Sequence, residues 1–394
     1  MKLEMCFYDF TKQEFNKNNS LDTSEDSEKN CLLVFGNRKM NEQFPQVINN
    51  LNKKFPKSHF IGCSSAGEIF NKSIIDDSLS IALIQLEDKN SFIRSYSFAC
   101  SDFKNSKELG NEISEHFKKE ENLRGIFLLC DGLNVNGSEL ILGINERISP
   151  QVVVSGGLAA DSNEFERTWT VFKGELLQKH VVAIGLYGPN IYLETSSKGG
   201  WDKFGPQRKV SKSIGNVLYE IDGKIALKLY KEYLGDLAKE LPSTALLFPL
   251  YIDKGNNQGQ IRTILGIDEK NQSMIFAGDI PQGSLVQLMK TNVDRLIDGA
   301  IDASSQILKN IPKNHLTRES QKLLIAISCV GRRLVLKQRT EEEIEGTLDT
   351  FESIKTPCQQ IGFYSYGEIS SQEKGQLCEL HNQTMTLTLL YENI

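Results

Sequence analysis

The chain has 394 residues and a formal net charge of −6. An apolar fraction of 39% with 24% charged residues is typical of a globular protein, and the length exceeds what a single core usually fills, so we expect two domains. The acidic balance argues against a partner that is bound through its phosphates, because such binding needs clustered Lys and Arg. Nucleic acid is therefore not an expected partner.

No apolar stretch approaches the roughly 20 residues that a helix needs to cross a bilayer. Residues 1–10 include Glu4 and Asp9, where a signal peptide needs a basic segment and then an unbroken apolar one. The eight cysteines are widely spaced without a Cys-x-x-Cys pair, which fits no zinc or iron–sulfur pattern. We therefore expect a cytoplasmic protein with reduced thiols, no membrane partner and no metal site.

Residues 1–30 are predicted to be an N-terminal lead and a mobile connection, because residues 11–30 are polar and lack apolar periodicity. From residue 31 a unit of strand, amphipathic helix and second strand ends in a Gly/Ser loop. The first copy has strands at 32–36, 60–61 and 79–86, a helix with apolar residues from 44 to 55, and a loop at 62–69.

The same order recurs twice. The second copy has strands at 126–130, 152–154 and 180–187, a helix through residues 140–144, and a loop at 155–161. The third copy has strands at 323–330 and 385–391, a loop at 361–369, and a helix that begins with a capping box of Thr340 and Glu343. Residues 61–69 and 361–369 are identical at six of nine positions, which indicates an internal duplication.

The predicted fold is α/β, with repeated strand–helix–strand units that form mixed sheets flanked by helices, in two domains with internal duplication. Between the second and third copies we predict a polar join at 198–206, a helical region at 213–239, a hairpin within 261–279 and a helix at 284–308. The predicted division is residues 1–30, a first domain at 31–225 and a second domain at 226–394.

The Gly/Ser loops follow strands, and in open α/β sheets ligands bind at the carboxyl ends of strands. Hydroxyls of Ser64, Ser65 and Ser155 and the carboxylate of Asp161 could bind a polar ligand. The alternative is that these residues only cap the following segments. Glu68 and its counterpart in the third copy follow a glycine in both loops, which favours a structural role for that pair.

A catalytic reading of the first loop is a further alternative. Gly62-Cys63-Ser64-Ser65-Ala66 approaches the Gly-x-Ser-x-Gly turn that exposes a nucleophilic serine. Ala66 replaces the last glycine, and the third copy has Tyr364 where the first has Ser64. A hydrolase-like enzyme that uses Ser64 or Cys63 is therefore the second alternative.

Polar and aromatic residues of the third copy complete the set of candidates. His381 precedes the last strand, and it could bind a ligand or a haem iron, although a lone histidine is more often hydrogen-bonded structure. Arg332 and Arg333 follow a strand and could clamp a carboxylate. The predicted ligand-binding residues are Ser64, Ser65, Gly67, Glu68, Ser155, Gly156, Gly157, Asp161, Arg332, Arg333, Tyr364, Tyr366, Glu368, His381 and Asn382.

Five motifs in order, over nearly the whole chain after residue 30, resemble the paired FIST domains of bacterial signal transduction. The motifs lie at residues 61–69, 155–161, 328–333, 362–369 and 379–384. The resemblance implies a small-ligand sensor, with an amino acid as a suggested ligand and no cofactor. It also implies the first alternative, a haem-based nitric oxide sensor, in which we expect His381, or in second place His180, to bind the iron. The partner it implies is a separate output protein, such as a histidine kinase, a chemotaxis receptor or a cyclic-dinucleotide enzyme.

Overall fold

The fold combines three units of similar strand order with one inserted sheet domain. It is seen in a computed structural model that describes residues 1–16, 21, 24–37, 43–162, 164–255, 258–316, 321–371 and 375–394. The predicted α/β class, with mixed sheets flanked by helices, is confirmed.

The first unit places two parallel strands beside two antiparallel ones. Its elements are β1 (Lys2–Asp9), β2 (Glu14–Phe15), β3 (Asn30–Asn37), α1 (Gln43–Lys54), β4 (His59–Ser65), β5 (Glu68–Phe70), β6 (Ser73–Ile74) and β7 (Ser78–Gln85). β3 and β4 are parallel, β7 is antiparallel to β3, and β1 is antiparallel to β7. β1 lies before the predicted first strand and completes the unit.

The second unit repeats this order and adds a helix before its central strand. Its elements are β8 (Phe92–Ala99), α2 (Ser106–Phe117), β9 (Leu123–Cys130), α3 (Gly137–Asn145), β10 (Val153–Leu158), β11 (Thr170–Phe172), β12 (Glu175–Leu177) and β13 (His180–Tyr187). Both helices begin after an asparagine, because the side chains of Asn105 and Asn136 accept hydrogen bonds from N–H groups of the first turn.

The third unit opens with β14 (Ile191–Lys198), and an antiparallel sheet domain is inserted after it. The inserted elements are β15 (Asp202–Ile214), β16 (Val217–Ile221), β17 (Lys224–Ile225), α4 (Ala226–Leu234), β18 (Leu250–Gly255), β19 (Gln258–Arg262), β20 (Ile264–Asp268), β21 (Ser273–Phe276) and β22 (Leu285–Lys290). The predicted helical region is wrong for β16, and the predicted helix at 284–308 is wrong for β22. The hairpin of β20 and β21 agrees with the prediction.

The remaining elements complete the third unit. They are α5 (Val293–Asn310), β23 (Lys322–Cys329), α6 (Val330–Leu336), α7 (Thr340–Ser353), β24 (Cys358–Ser365), β25 (Gly367–Ser371), β26 (Cys378–His381) and β27 (Met385–Glu392). The predicted capping box is wrong, because Arg339 occupies the N-cap position of α7 and Thr340 Oγ1 donates to the carbonyl of Lys337.

The three units exchange their hairpins in a cycle. The strand orders of the three sheets are β12-β11-β4-β3-β7-β1-β2, β26-β25-β10-β9-β13-β8 and β14-β27-β23-β24-β5-β6. The hairpin β5–β6 of the first unit extends the sheet of the third unit, β25–β26 extends that of the second, and β11–β12 extends that of the first. We name the contacts by the units that they join: the first–third, second–third and first–second junctions.

The inner faces of the three sheets meet in one apolar core. This core includes Phe35 from the first unit, Leu129 from the second and Phe363 from the third, and the rings of Phe35 and Phe363 stack with centroids 4.7 Å apart. Helices α2, α3, α5 and α7 pack on outer faces. Strands from both sides of residue 225 pair with each other, and the two-domain division at that residue stays a prediction.

Three equivalent glycines show how the units correspond. Gly62, Gly156 and Gly362 each lie beside the carbonyl of the neighbouring parallel strand, and an added Cβ would lie 2.4, 1.8 and 1.7 Å from that carbonyl oxygen. No side chain fits at such distances, so glycine is required at all three positions. The register of each unit can therefore be counted from its glycine.

Candidate functional site

The first loop, between β4 and β5, is buried and held by its own polar side chains. Ser65 Oγ donates to the carboxyl of Glu68 and accepts from the N–H of Gly67, the latter at 3.0 Å. Burial raises the pKa of Glu68 to about 8. Ser64 Oγ accepts from the N–H of Trp169 at 3.2 Å. Ser65, Gly67 and Glu68 therefore stabilise the loop, and Ser64 links the loop to the first–second junction.

The third loop repeats the serine–glutamate pair. Ser365 Oγ donates to Glu368 Oε1 at 2.8 Å, and Glu368 Oε2 accepts from the N–H and the hydroxyl of Thr384 at 3.1 and 2.8 Å. Burial raises the pKa of Glu368 to about 8 as well. A buried acid with a pKa near 8 is predominantly neutral at pH 7, so it can donate a hydrogen bond.

Arg333 closes the first–third junction. Its guanidinium donates to the carbonyl of Ala66, forms an ion pair with Asp76, and lies 5.6 Å from the ring centroid of Tyr364. Gly67 has a φ of +142°, and a Cβ there would lie 2.1 Å from Arg333 Nη1. This arginine is therefore paired within the protein.

Arg332 belongs to a buried ion pair. Its Nη2 lies 2.6 Å from Glu343 Oε2, and both side chains are fully buried. Glu343 Oε1 also accepts from the hydroxyls of Ser328 and Tyr364, both at 2.9 Å. Arg332 also donates to two backbone carbonyls, one of which is that of Gly199 at 2.7 Å. This network ties α6 to α7 and to β24.

Asp161 organises the loop that follows β10. Its carboxylate accepts from the N–H groups of Phe165, Glu166 and Arg167 at 2.7–3.0 Å and from the hydroxyl of Tyr366. The ring of Tyr366 stacks on Phe165 with centroids 4.9 Å apart. Asp161 and Tyr366 are both buried and link the loop after β10 to the third unit.

Three predicted residues meet on the inner face of the second–third junction. Glu368 and His381 are directly opposite on adjacent strands, so their side chains share a face. Ser155 and Gly157 are on the same face of β10, because alternate residues of a strand point to one side. A Cβ at Gly157 would contact Ile327 and Phe363 of the central core. Ser155 therefore also faces that core. One imidazole nitrogen of His381, Nε2, lies 3.0 Å from the carbonyl oxygen of Ser370.

Asn382 follows this strand and points elsewhere. Its amide donates to the carbonyl of Tyr366 at 3.3 Å and accepts from the N–H of Thr263 at 3.4 Å. It therefore joins the third loop to the inserted domain.

The second–third junction also contains four hydroxyl side chains that are equivalent to mostly apolar residues elsewhere. β14 contacts both β10 and β25 there. We name Ser155, Thr195, Ser370 and Thr388 the hydroxyl quartet. The strand register, counted from Gly62, Gly156 and Gly362, gives the equivalent residues at the other junctions. At the first–third junction they are Ile361, Met5, Phe70 and Ala82. At the first–second junction they are Ile61, Ser95, Phe172 and Ile184.

The predicted residues therefore do not form a single site. Ser155, Glu368 and His381 come together at the second–third junction, whereas Arg333 and Tyr364 lie at the first–third junction and Asp161 lies on a separate loop. The prediction did not include Thr195, Ser370 and Thr388. Threonine alternates with apolar residues at 384, 386 and 388 in the last strand, and that alternation was the available signal for an inward-facing polar row.

A separate cavity of about 370 Å³ lies between α3, the hairpin β25–β26 and the inserted domain. Its lining residues include Ser138, Leu142, Gln260, Arg262, Asp279 and Leu380. Arg262 donates to the carbonyls of Ile261, Asp279 and Leu380 and to the side chains of Ser138 and Gln260. These contacts use the five N–H groups of the guanidinium, so Arg262 connects the inserted domain to the core.

The geometry at Ser64 and Cys63 offers little for nucleophilic catalysis. Both side chains are completely buried, and burial raises the pKa of the Cys63 thiol well above its usual value. The Ser64 hydroxyl accepts a backbone hydrogen bond, as described above, whereas a nucleophilic serine donates to a base.

Comparison with known families identifies the chain. The FIST N domain model matches residues 30–224, and the FIST C domain model matches residues 226–371. The chain belongs to the FIST family. FIST domains are sensory domains, so the role at the level of the family is sensory. In the part of this FIST protein that the structure describes, no helix is long and apolar enough to cross a membrane.

One relative and one solved structure are also similar to this FIST protein. An uncharacterized protein of Methanocaldococcus jannaschii is 25% identical over 392 residues, which cover 89% of this chain and 71% of the relative. A crystal structure of a chorismatase aligns over 100% of this chain and 98% of its own, with 7% identity and a TM-score of 0.33. At that TM-score the likeness supports no argument about fold or activity.

Proposed function

We propose that this FIST protein is a sensor of a small ligand and that the ligand binds at the second–third junction. The observation that carries the proposal is the contrast between three equivalent junctions. At the four compared positions two of the junctions hold mainly apolar side chains, as expected of a core, whereas the third holds the hydroxyl quartet, which lies near Glu368 and His381. Buried polar groups are costly, so their concentration at one of three equivalent places favours a binding role.

The junction also suits the transmission of a signal. It joins the hairpin β25–β26 to β10, and Arg262 of the inserted domain donates to the carbonyl of Leu380 in the same hairpin at 3.0 Å. A ligand that changes the packing of this hairpin would change the contact of the inserted domain with the core. The proposal includes a cytoplasmic location and a separate output partner of the histidine kinase, chemotaxis receptor or cyclic-dinucleotide enzyme class.

A thermal-shift screen of the purified protein tests the proposal. The probes are the amino acids, which the family resemblance suggests, small carboxylates, sugars and haemin, since a ligand that binds only the folded state raises the melting temperature. A stabilising ligand should lose its effect in Ser155→Ala and keep it in Arg333→Ala, because Arg333 is paired at another junction. A shift abolished only by Arg333→Ala would place the site elsewhere and contradict the proposal.

The same screen separates the alternatives. A shift with haemin alone, together with a Soret band that His381→Ala removes, would replace the proposal by a haem-based gas sensor. Hydrolysis of an ester, amide or phosphoester panel that Ser64→Ala abolishes would replace it by the enzyme.

A further inference from the structure

Three members of the hydroxyl quartet lack a hydrogen-bond partner in the described protein. They are the hydroxyls of Ser155, Ser370 and Thr388, which are 0%, 0% and 1% exposed. A buried hydroxyl without a partner costs about 1–3 kcal/mol, so three of them around one junction indicate an occupant that supplies the missing bonds. Ser155 and Ser370 are directly opposite on β10 and β25, because the register pairs Gly156 with Ile369.

Thr388 lies on the opposite wall of the junction. Leu390, two residues further along β27, contributes to the central core, whereas Leu387 and Leu389 pack with the helices on the outer face. The alternation therefore points Thr388 inward, toward the wall that carries Ser155 and Ser370. Thr195 of β14 is paired with Thr388 of β27, and the hydroxyl of Thr195 lies 3.2 Å from that of Ser371.

The side chains of the hydroxyl quartet are smaller than their counterparts at the first–third junction. The equivalent positions at the first–third junction hold Ile361, Met5, Phe70 and Ala82, as established above. Two serines and two threonines fill less volume than isoleucine, methionine, phenylalanine and alanine do. Because protein interiors are close-packed, this smaller side-chain volume agrees with an occupant at the second–third junction.

The charges that face the junction argue against an ionic ligand. Its ionisable groups include Glu368 and His381, with Glu379 opposite Ser370 at the edge strand and Glu392 at the end of β27. No Lys or Arg occupies an inward position of the described strands β10, β14, β25 and β27. Burial keeps the Glu368 carboxyl predominantly neutral at pH 7, as its raised pKa of about 8 shows. The Arg332 guanidinium, whose charge acts on Glu368, is already paired with Glu343. A ligand carboxylate would therefore be desolvated here without an unpaired cation among these groups.

We propose that the hydroxyl quartet binds an uncharged hydrogen-bonding molecule of the polyol, sugar or primary amide class, through Ser155, Ser370 and Thr388. This inference rests on the proposed sensory function and assigns its ligand a chemical class. Each hydroxyl both donates and accepts, so the three match ligand hydroxyl or amide groups without any change in charge. The partly exposed Ser197, next to Thr195 on the same face, marks the solvent edge of the junction.

The test uses uncharged molecules, each paired with a carboxylate of the same carbon skeleton. The pairs are glucose with gluconate, glycerol with glycerate, and acetamide with acetate, measured by thermal shift and then by calorimetric titration. At least one uncharged member should bind, and its carboxylate partner should bind at least tenfold more weakly. Thr388→Val keeps the shape of the side chain and removes the hydroxyl, so it should weaken binding about tenfold, which corresponds to about 1.4 kcal/mol.

Ser196→Ala is the matched control. Ser196 is next to Thr195 on β14 and is also completely buried. Its hydroxyl has no hydrogen-bond partner among the described residues, but its side chain points to the other side of the sheet. Binding should be unchanged in this variant. Equal loss in Ser196→Ala and Thr388→Val would show a general effect on stability and overturn the assignment.

The remaining outcomes separate this inference from the proposed function. Tighter binding of the carboxylate members, or of an amino acid whose affinity Thr388→Val leaves unchanged, contradicts the ligand class and leaves the sensor intact. The absence of binding by every pair and every amino acid contradicts both.

Discussion

Replacement of Glu368 by glutamine should remove a large part of the pH dependence of stability. Burial raises the pKa of this carboxyl from 4.5 to about 8 in the folded protein. Between these values the native state binds a proton that the unfolded state releases, so the free energy of unfolding falls as the pH rises from about 4.5 to about 8. At about 1.4 kcal/mol for each pKa unit, the loss is about 5 kcal/mol at most.

Glutamine keeps the shape of the neutral acid and cannot ionise. Glu368→Gln should therefore be more stable than the native protein at pH 8 and nearly equal at pH 5. Glu68 also has a pKa raised to about 8 by burial, so the double variant Glu68→Gln/Glu368→Gln should remove about twice as much of the fall in stability as the single variant does.

Urea unfolding at several pH values between 5 and 8 measures this slope. Glu342→Gln is the control, because that carboxylate pairs with Arg339 on the surface. If the slope of Glu368→Gln equalled that of the native protein, Glu368 would be ionised in the fold, and the argument for a neutral junction would fail.

Two further predictions concern the architecture. Gly362→Ala should destabilise the protein by more than about 3 kcal/mol, or prevent folding, because the added Cβ would lie 1.7 Å from a carbonyl oxygen. Gly266→Ala should change stability by less than about 1 kcal/mol, because the atom nearest to the added Cβ is 3.8 Å away. Chemical unfolding of both variants checks this, and equal losses would contradict it. Glu343→Ala should lower the free energy of unfolding by about 3–5 kcal/mol, because it leaves Arg332 buried and unpaired. Glu342→Ala should lower it by less than about 1 kcal/mol. A small loss of stability in Glu343→Ala would show that water stabilises Arg332 in place of the carboxylate.

Much of the repeated architecture could be predicted from the sequence, because each unit carries its own apolar periodicity and its own glycine-containing loop. The exchange of hairpins could not. β5 has three residues, and its partner β24 lies about 290 residues further along the chain. A strand that short has no pattern of its own to indicate which sheet it joins.

The errors have local physical causes. Residues 285–290 have apolar residues at spacings that suit a helix as well as a strand, and Val286 and Leu288 are buried as alternate residues of a strand. Thr340 and Glu343 have the spacing of a capping box, but Glu343 is the partner of the buried Arg332, and a charge pair outweighs a cap when both groups are buried.

The candidate site was only partly predictable for a similar reason. Ser155, Glu368 and His381 lie in or beside motifs, whereas Thr195 and Thr388 become significant only when the three junctions are compared. That comparison needs the register of every strand, which depends on pairing between distant segments.

The most direct test of a binding site at the second–third junction is a crystal structure of the protein with the molecule that stabilises it most in the thermal-shift screen. We expect density for that molecule within hydrogen-bonding distance of the hydroxyls of Ser155, Ser370 and Thr388. At the first–third junction, where Phe70 is equivalent to Ser370, we expect only protein atoms. Density for the molecule in the cavity beside Arg262, with the three hydroxyls bonded to protein groups alone, would contradict it.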